Sequence, residues 1–163
     1  MALTVVLIRH GEAENKRFGE TDYDRELTFK GAEALADAFP DNLSLVRTSK
    51  ASELWVSPAV RARQTADIAN ETLNIDIFRE LKCLYEQDQQ KFLEELQKTN
   101  ADTVVAVGHI PFMEDMLARL TGVYMGFSTG SAAAVEIDDA YVSTLSTSPI
   151  RGRLLWYVSG PVV

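Results

Sequence analysis

The chain holds only two histidines, and each stands directly behind an apolar run. His10 lies in Arg9-His10-Gly11-Glu12, after Leu3-Thr4-Val5-Val6-Leu7-Ile8. His109 lies in Gly108-His109-Ile110-Pro111, after Thr103-Val104-Val105-Ala106-Val107. A third run, Leu54-Trp55-Val56, leads into Ser57-Pro58-Ala59-Val60-Arg61-Ala62-Arg63-Gln64-Thr65-Ala66 and delivers Arg61. If these runs are buried strands, Arg9, His10, Arg61 and His109 all fall where a strand ends and a loop begins. In an open α/β sheet that edge is where ligands bind. Two guanidiniums and two imidazoles suit a tetrahedral dianion, because arginine offers a planar fork of donors that meets phosphate oxygens in pairs. Helix N-termini after Ser57 and near His109 would add backbone donors and a favourable dipole.

The elements that must position these groups are legible from periodicity. Leu3–Ile8 reads as the first strand, followed by a polar loop, Glu14–Glu26. Thr28 is placed to cap a helix with Ala32, Leu35, Ala36 and Phe39 at helical spacing, ended by Pro40-Asp41-Asn42. After Leu54–Val56, Ser57 is the expected N-cap and Pro58 a first-turn residue, with Ala62, Ala66, Ala69 and Leu73 on one helix face. Ile75–Leu81 reads as a strand and Gln89–Lys98 as a helix burying Phe92, Leu93 and Leu96. Thr103–Val107 reads as a central strand. Pro111 opens a helix with Met113, Met116, Leu117 and Leu120 on one side, closed by Gly122. Ser131–Ile137 and Arg153–Val158 form a late strand pair, antiparallel and at an edge, while Ala140–Pro149 carries no clear pattern. Strands alternating with helices predict a three-layer α/β/α architecture with a mostly parallel central sheet.

Length and composition bound the function. At 163 residues the expectation is one domain spanning 1–163. Apolar residues at 46% and charged residues at 25% are ordinary for a soluble globular chain. No apolar stretch approaches the roughly 18 residues of a membrane span, and Met1-Ala2-Leu3-Thr4 lacks the basic region of a signal peptide. A lone cysteine, Cys83, fits a cytoplasmic location. The net charge of −8 argues against nucleic acid as a partner, since such binding needs a basic face.

The motifs are similar to those of the histidine phosphatase superfamily, the phosphoglycerate-mutase-like enzymes. Arg-His-Gly-Glu follows the first strand, Ser-Pro-x-x-Arg-Ala-x-Gln-Thr-Ala stands mid-chain, and Gly-His-x-Pro comes late. Three further strings resemble the small bacterial phosphohistidine phosphatases of the SixA type: Arg9-His10-Gly11-Glu12-Ala13-Glu14, Arg25-Glu26-Leu27-Thr28-x-x-Gly31, and Gly108-His109-Ile110-Pro111 followed by Leu120-Thr121-Gly122. The resemblance implies a phosphoglycerate-mutase-like fold and His10 as the nucleophile that takes the phosphoryl group. It implies Arg9 and Arg61 on the nonbridging oxygens, His109 across the phosphate, and hydrolysis of phospho-His10 by water. No cofactor or metal is expected, since the arginines supply the charge a magnesium ion would supply.

One departure bears on the substrate. Many superfamily members carry an acid shortly after the third strand in a Leu-x-Glu-like context. Here the stretch is Glu80-Leu81-Lys82-Cys83-Leu84-Tyr85-Glu86, which sets Cys83 in the acid's place and leaves Glu80 or Glu86 as substitutes. An alkoxide leaving group needs a proton delivered during P–O cleavage. Imidazole, whose ordinary pKa in histidine is about 6.5, needs far less help. The short span between Cys83 and Val104 leaves no room for a lid, so the pocket should be open. The expected partner is therefore a phosphohistidine-containing protein of a phosphorelay or phosphotransfer chain. The alternatives are a small phosphorylated molecule, hydrolysed as a phosphomonoester or isomerised, and a phosphate-binding module without catalysis. Among the other residues, Arg63 reads as a surface or packing arginine, Glu12 and Glu14 as loop or structural carboxylates and Cys83 as an inert core thiol. Asn15 is within chain reach of a substrate, and the acidic loop Glu20–Asp24 is placed to steer a partner.

Overall fold

The computed structural model describes residues 2–147 and 152–163. In chain order it runs β1 (Ala2–Arg9), α1 (Phe29–Asn42), β2 (Glu53–Val56), α2 (Val60–Leu73), β3 (Ile77–Glu80), α3 (Lys82–Glu86), α4 (Gln89–Lys98), β4 (Thr103–Gly108), α5 (Phe112–Thr121), β5 (Ala132–Asp138), α6 (Asp139–Val142) and β6 (Gly152–Val158). A single 3-10 turn, Asp22–Asp24, interrupts the long loop after β1. The strands form one sheet in the order β3-β2-β4-β1-β5-β6. The first four are mutually parallel, while β5 runs antiparallel to β1 and β6 antiparallel to β5. The late strand pair of the sequence is thus present, with β6 at the edge and β5 one place inside it. Ser148 and Pro149, the end of the unpatterned connection, lie outside the described residues.

Alternation along β1 sorts the core into two layers, because successive strand residues face opposite sides of a sheet. Leu3, Val5 and Leu7 pack with α4 and α5 through Phe92, Leu93, Leu96, Met113, Met116 and Leu117. Val6 and Ile8 pack with α1 and α2 through Leu35, Phe39, Ala62, Ala66 and Leu73. The architecture is therefore the expected three-layer α/β/α sandwich around a mostly parallel sheet. β1 and β4 are buried nearly throughout, as parallel strands with helices on both faces must be. Their C-terminal ends lie side by side, Arg9 opposite Gly108, so Arg9, His10 and His109 leave the sheet together. Among the described residues no helix is long and apolar enough to cross a membrane.

Three boundaries differ from the sequence expectation, each for a local reason. α1 continues through Pro40 to Asn42, since a proline in the last turn removes only one intrahelical donor. The third strand is shorter than Ile75–Leu81. The Asn70 side chain takes both backbone groups of Ile75, and Leu81 ends the strand by N-capping α3. Finally, α2 is capped by Ala59 and not by Ser57.

Candidate active site

The first wall of the site is the turn that follows β1. His10 is 8% exposed, and its Nδ1 lies 2.7 Å from the Gly11 carbonyl oxygen. A carbonyl only accepts, so Nδ1 carries the proton and Nε2 presents its lone pair. Burial pulls the His10 pKa down to about 4, and the Arg61, Arg9 and Arg25 charges add to this against the Gly11 hydrogen bond. The ring is therefore neutral near pH 7. The turn itself is held from three sides. His10 N–H donates to Gly108 O, Gly130 N–H donates to the carbonyls of Arg9 and His10, and Gly11 N–H donates to Thr65 Oγ1 at 3.1 Å. Gly130 has φ of 78°, a left-handed conformation that glycine adopts at little cost.

Arg9 leaves the end of β1 and donates from Nη1 to Phe127 O at 2.8 Å. Phe127 N–H in turn donates to Glu114 Oε2 at 2.7 Å, so the first turn of α5 fixes the loop that fixes Arg9. Burial lowers the Arg9 pKa from its ordinary value, and the Glu114 carboxylate opposes that shift.

Arg61 rises from the first turn of α2, and its side chain is 7% exposed. Nε donates to His10 Nε2 at 3.4 Å, Nη1 to the Asp22 carbonyl at 2.7 Å, and Nη2 to Asp22 Oδ2 at 3.0 Å. His109 follows β4 with its ring centroid 5.2 Å from that of His10, edge to face at 62°. Its Nε2 lies 2.8 Å from Ser57 Oγ. Burial pulls the His109 pKa to about 3, with the His10 and Arg61 charges adding to it. All four residues singled out from the sequence thus converge on one cavity of about 410 Å³.

The same cavity holds groups the sequence reading did not select. Asp22, Arg25, Tyr85, Gln87 and Ile110 complete its lining. Asp22 comes from the acidic loop expected to steer a partner, yet its carboxylate turns inward onto Arg25 and Arg61 and accepts from the Tyr85 hydroxyl at 3.0 Å. The Arg25 hydrogen bond, aided by Arg61 and Tyr85 against burial, holds the Asp22 carboxyl at about 2. Ser57, expected as a helix cap, is fully buried and spends its hydroxyl on His109 and on Ala59 N–H. Asn15 is exposed and outside the lining; the loop it opens reaches the pocket further on, through Asp22 and Arg25. Arg63 is exposed, as expected.

The stretch after β3 resolves the question of the acid in part. Cys83, on α3, packs into the core, and burial pushes its thiol up to about 11, so it stays protonated at neutral pH. Glu86 lines a separate small cavity with Tyr23, Pro58, Lys82 and Tyr85, and Glu80 is exposed at the end of β3. Neither carboxylate lines the cavity of the two histidines.

Comparison with known proteins bears on the family and the fold. Residues 5–89 match the histidine phosphatase superfamily (branch 1). The chain is 24% identical to a phosphohistidine phosphatase SixA homolog of Haemophilus influenzae, over 99% of this chain and 98% of that protein. Among solved structures, a protein of Agrobacterium tumefaciens provisionally described as phosphohistidine phosphatase SixA superposes with a TM-score of 0.74 at 26% identity, covering 98% of this chain and 99% of that one. The protein histidine phosphatase SixA complexed with tungstate superposes with a TM-score of 0.72 at 22% identity, over 96% and 97% of the two chains.

Proposed function

This chain belongs to the histidine phosphatase superfamily, and from that premise we propose that it removes phosphate from phosphohistidine on a phosphorelay or phosphotransfer protein. In this reading His10 is the nucleophile, Arg9 and Arg61 hold the phosphoryl oxygens, and His109 donates across the phosphate. The observation that carries the reading is His10: a cavity-lining ring, neutral, with its Nδ1 proton fixed on Gly11 O and its Nε2 lone pair held only by a long 3.4 Å hydrogen bond from Arg61 Nε.

The reaction runs in two in-line steps. His10 Nε2 forms a bond to phosphorus as the substrate P–N bond breaks, and its electron pair leaves with the substrate imidazole. The imidazolium of phospho-His10 keeps its Nδ1 proton on the Gly11 carbonyl. Water then attacks phosphorus, the P–Nε2 bond breaks, and His10 recovers its lone pair. Positioning and charge do most of the work in such transfers. Three guanidiniums, Arg9, Arg25 and Arg61, line the cavity, and we assign them the charge stabilisation that a metal ion supplies in other phosphatases. For that purpose Arg61 must release Asp22, and its Nε–H must leave the His10 Nε2 lone pair free for phosphorus.

The leaving group favours phosphohistidine over alkyl phosphates. The lining contains no glutamate, and its one aspartate, Asp22, has a carboxyl near 2, far too acidic to store a proton near pH 7. An alkoxide would leave unprotonated, whereas an imidazole leaves readily. The relatives described as SixA support the same substrate class, and a cytoplasmic setting is part of this reading.

The test is phosphate release from a histidine-phosphorylated protein against a panel of alkyl phosphates, with EDTA present. We expect preference for the phosphohistidine protein, no loss with EDTA, and an acid-labile phosphoenzyme on rapid mixing that His10→Ala abolishes. Preference for the alkyl panel, or full activity in His10→Ala, overturns the assignment.

A further inference from the structure

Gln87 shares the cavity with Arg9, His10, Arg61 and His109. Its Oε1 is buried and has no hydrogen-bond partner among the described residues. Leaving a buried acceptor without a donor is costly. The backbone adds a second cost, because Gln87 caps α3 with φ of 62°, in the left-handed region where glycine or asparagine is the ordinary choice. A glycine here would relieve both costs, so the glutamine side chain needs a purpose that folding does not supply.

The surroundings narrow that purpose. The cavity's cationic groups, Arg9, Arg25 and Arg61, are donors suited to phosphoryl oxygens. Its one carboxylate, Asp22, is already engaged by Arg25, Arg61 and Tyr85. The Gln87 amide carries an NH2 donor as well, but the atom left without a partner is Oε1, and a phosphate dianion, itself only an acceptor, offers that oxygen nothing. It therefore serves the other end of the substrate, and the group it selects must carry a donor.

We propose that Gln87 is a specificity-determining residue whose Oε1 accepts the ring N–H of a protonated phosphoimidazole, the leaving group of a phosphohistidine substrate. This rests on the phosphohistidine reading above. As the bond from His10 Nε2 to phosphorus forms, the substrate P–N bond breaks and its electron pair returns to that nitrogen. The proton stays on the other ring nitrogen, held by Oε1, and a neutral imidazole departs. An ester oxygen has no such N–H and gains nothing from Gln87.

The experiment compares a peptide phosphorylated on histidine Nε2 with 4-nitrophenyl phosphate. For Gln87→Leu, kcat/KM on the peptide falls by about tenfold or more while the ester rate stays within about twofold. Gln87→Glu keeps an acceptor and restores the peptide rate to within about threefold of wild type. Gln87→Gly frees the backbone, matches or exceeds wild-type thermal stability, and shows the same selective loss as Gln87→Leu. An unchanged peptide-to-ester ratio in both Leu and Gly variants, or failure of Gln87→Glu to restore it, overturns the role of Gln87. No release from the peptide by the wild type would instead overturn the phosphohistidine reading itself.

Discussion

The carboxylate of Asp22 sits 3.0 Å from Arg61 Nη2 inside the cavity, in the position of an internal anion. With its backbone carbonyl on Nη1, Asp22 occupies the face of Arg61 that the proposed reading assigns to phosphate. Anion binding must therefore displace an existing charge-assisted pair. Asp22→Asn removes the competing charge, and the inhibition constant of inorganic phosphate should fall about threefold to tenfold, the range of a partly exposed charged hydrogen bond. Competitive inhibition assays measure this directly. Weaker phosphate binding in Asp22→Asn would mean that Asp22 orients Arg61 more than it competes with the ligand.

Ser57 reaches His109 across 52 positions of sequence, Oγ to Nε2 at 2.8 Å. With Nε2 anchored there, the His109 ring has its orientation in the cavity fixed. Ser57→Ala should lower kcat by about tenfold and cost about 1–2 kcal/mol of stability, since a buried imidazole nitrogen loses its partner. Ser57→Thr keeps the hydroxyl and should retain more activity than Ser57→Ala. Paired kinetics and urea denaturation check both. Equal activity in Ser57→Ala and wild type would reduce the contact to packing.

The same residue shows how far the sequence can be read. Arg9, His10 and His109 are legible because each directly follows a buried strand, and strand ends in a parallel sheet share one edge. Arg61 is legible because helical spacing places it in the first turn after β2. Ser57 reads as a helix cap, the usual fate of serine before proline, because a partner 52 residues away leaves no trace in spacing. Asp22, Arg25, Tyr85 and Gln87 are not selected as site residues for a related reason. They stand on a 3-10 turn, a loop, and a five-residue helix with its left-handed cap, where side-chain direction follows no period. The acidic loop suggests a steering role because charge is visible in sequence, whereas the inward turn of Asp22 depends on Arg25 and Arg61 being folded around it. Pro40 marks a helix end by rule, yet in the last turn it costs too little to stop α1.

Glu12 and Gly31 lock the loop after His10 onto α1. Thr28 N–H donates to Glu12 O, and Thr28 Oγ1 donates to Glu12 Oε1 while accepting from Gly31 N–H. A Cβ on Gly31 would stand 2.6 Å from the Glu12 carbonyl oxygen and 2.9 Å from Thr28 Oγ1. The first of these is backbone and cannot swing aside. Gly31→Ala should therefore destabilise by about 1–3 kcal/mol and lower activity through displacement of the His10 turn. Thermal unfolding and turnover of the variant check both effects. A Gly31→Ala protein as stable and active as wild type would show that the loop yields without cost.

The two buried histidines set the response of stability to pH. Burial holds His10 at about 4 and His109 at about 3, while an unfolded chain binds those protons near 6.5. Between these values the unfolded state carries more protons than the folded one, so stability falls as pH drops below about 6.5 and levels off only near 4 for His10 and near 3 for His109. Each histidine contributes a slope of about 1.4 kcal/mol per pH unit in that window, or about 2 kcal/mol lost between pH 6.5 and pH 5. Asp22 is shifted in the same downward direction, and its contribution is lost further down, as pH falls from about 3.8, the ordinary carboxyl value, toward about 2. Urea denaturation at pH 7.5, 6 and 5 should show a steady fall in midpoint, and His10→Asn should remove about half of the slope, since asparagine does not titrate. A midpoint unchanged from pH 7.5 to pH 5 would mean that both rings titrate normally, and His10 would then be largely protonated in the acid range where the neutral nucleophile is expected to persist.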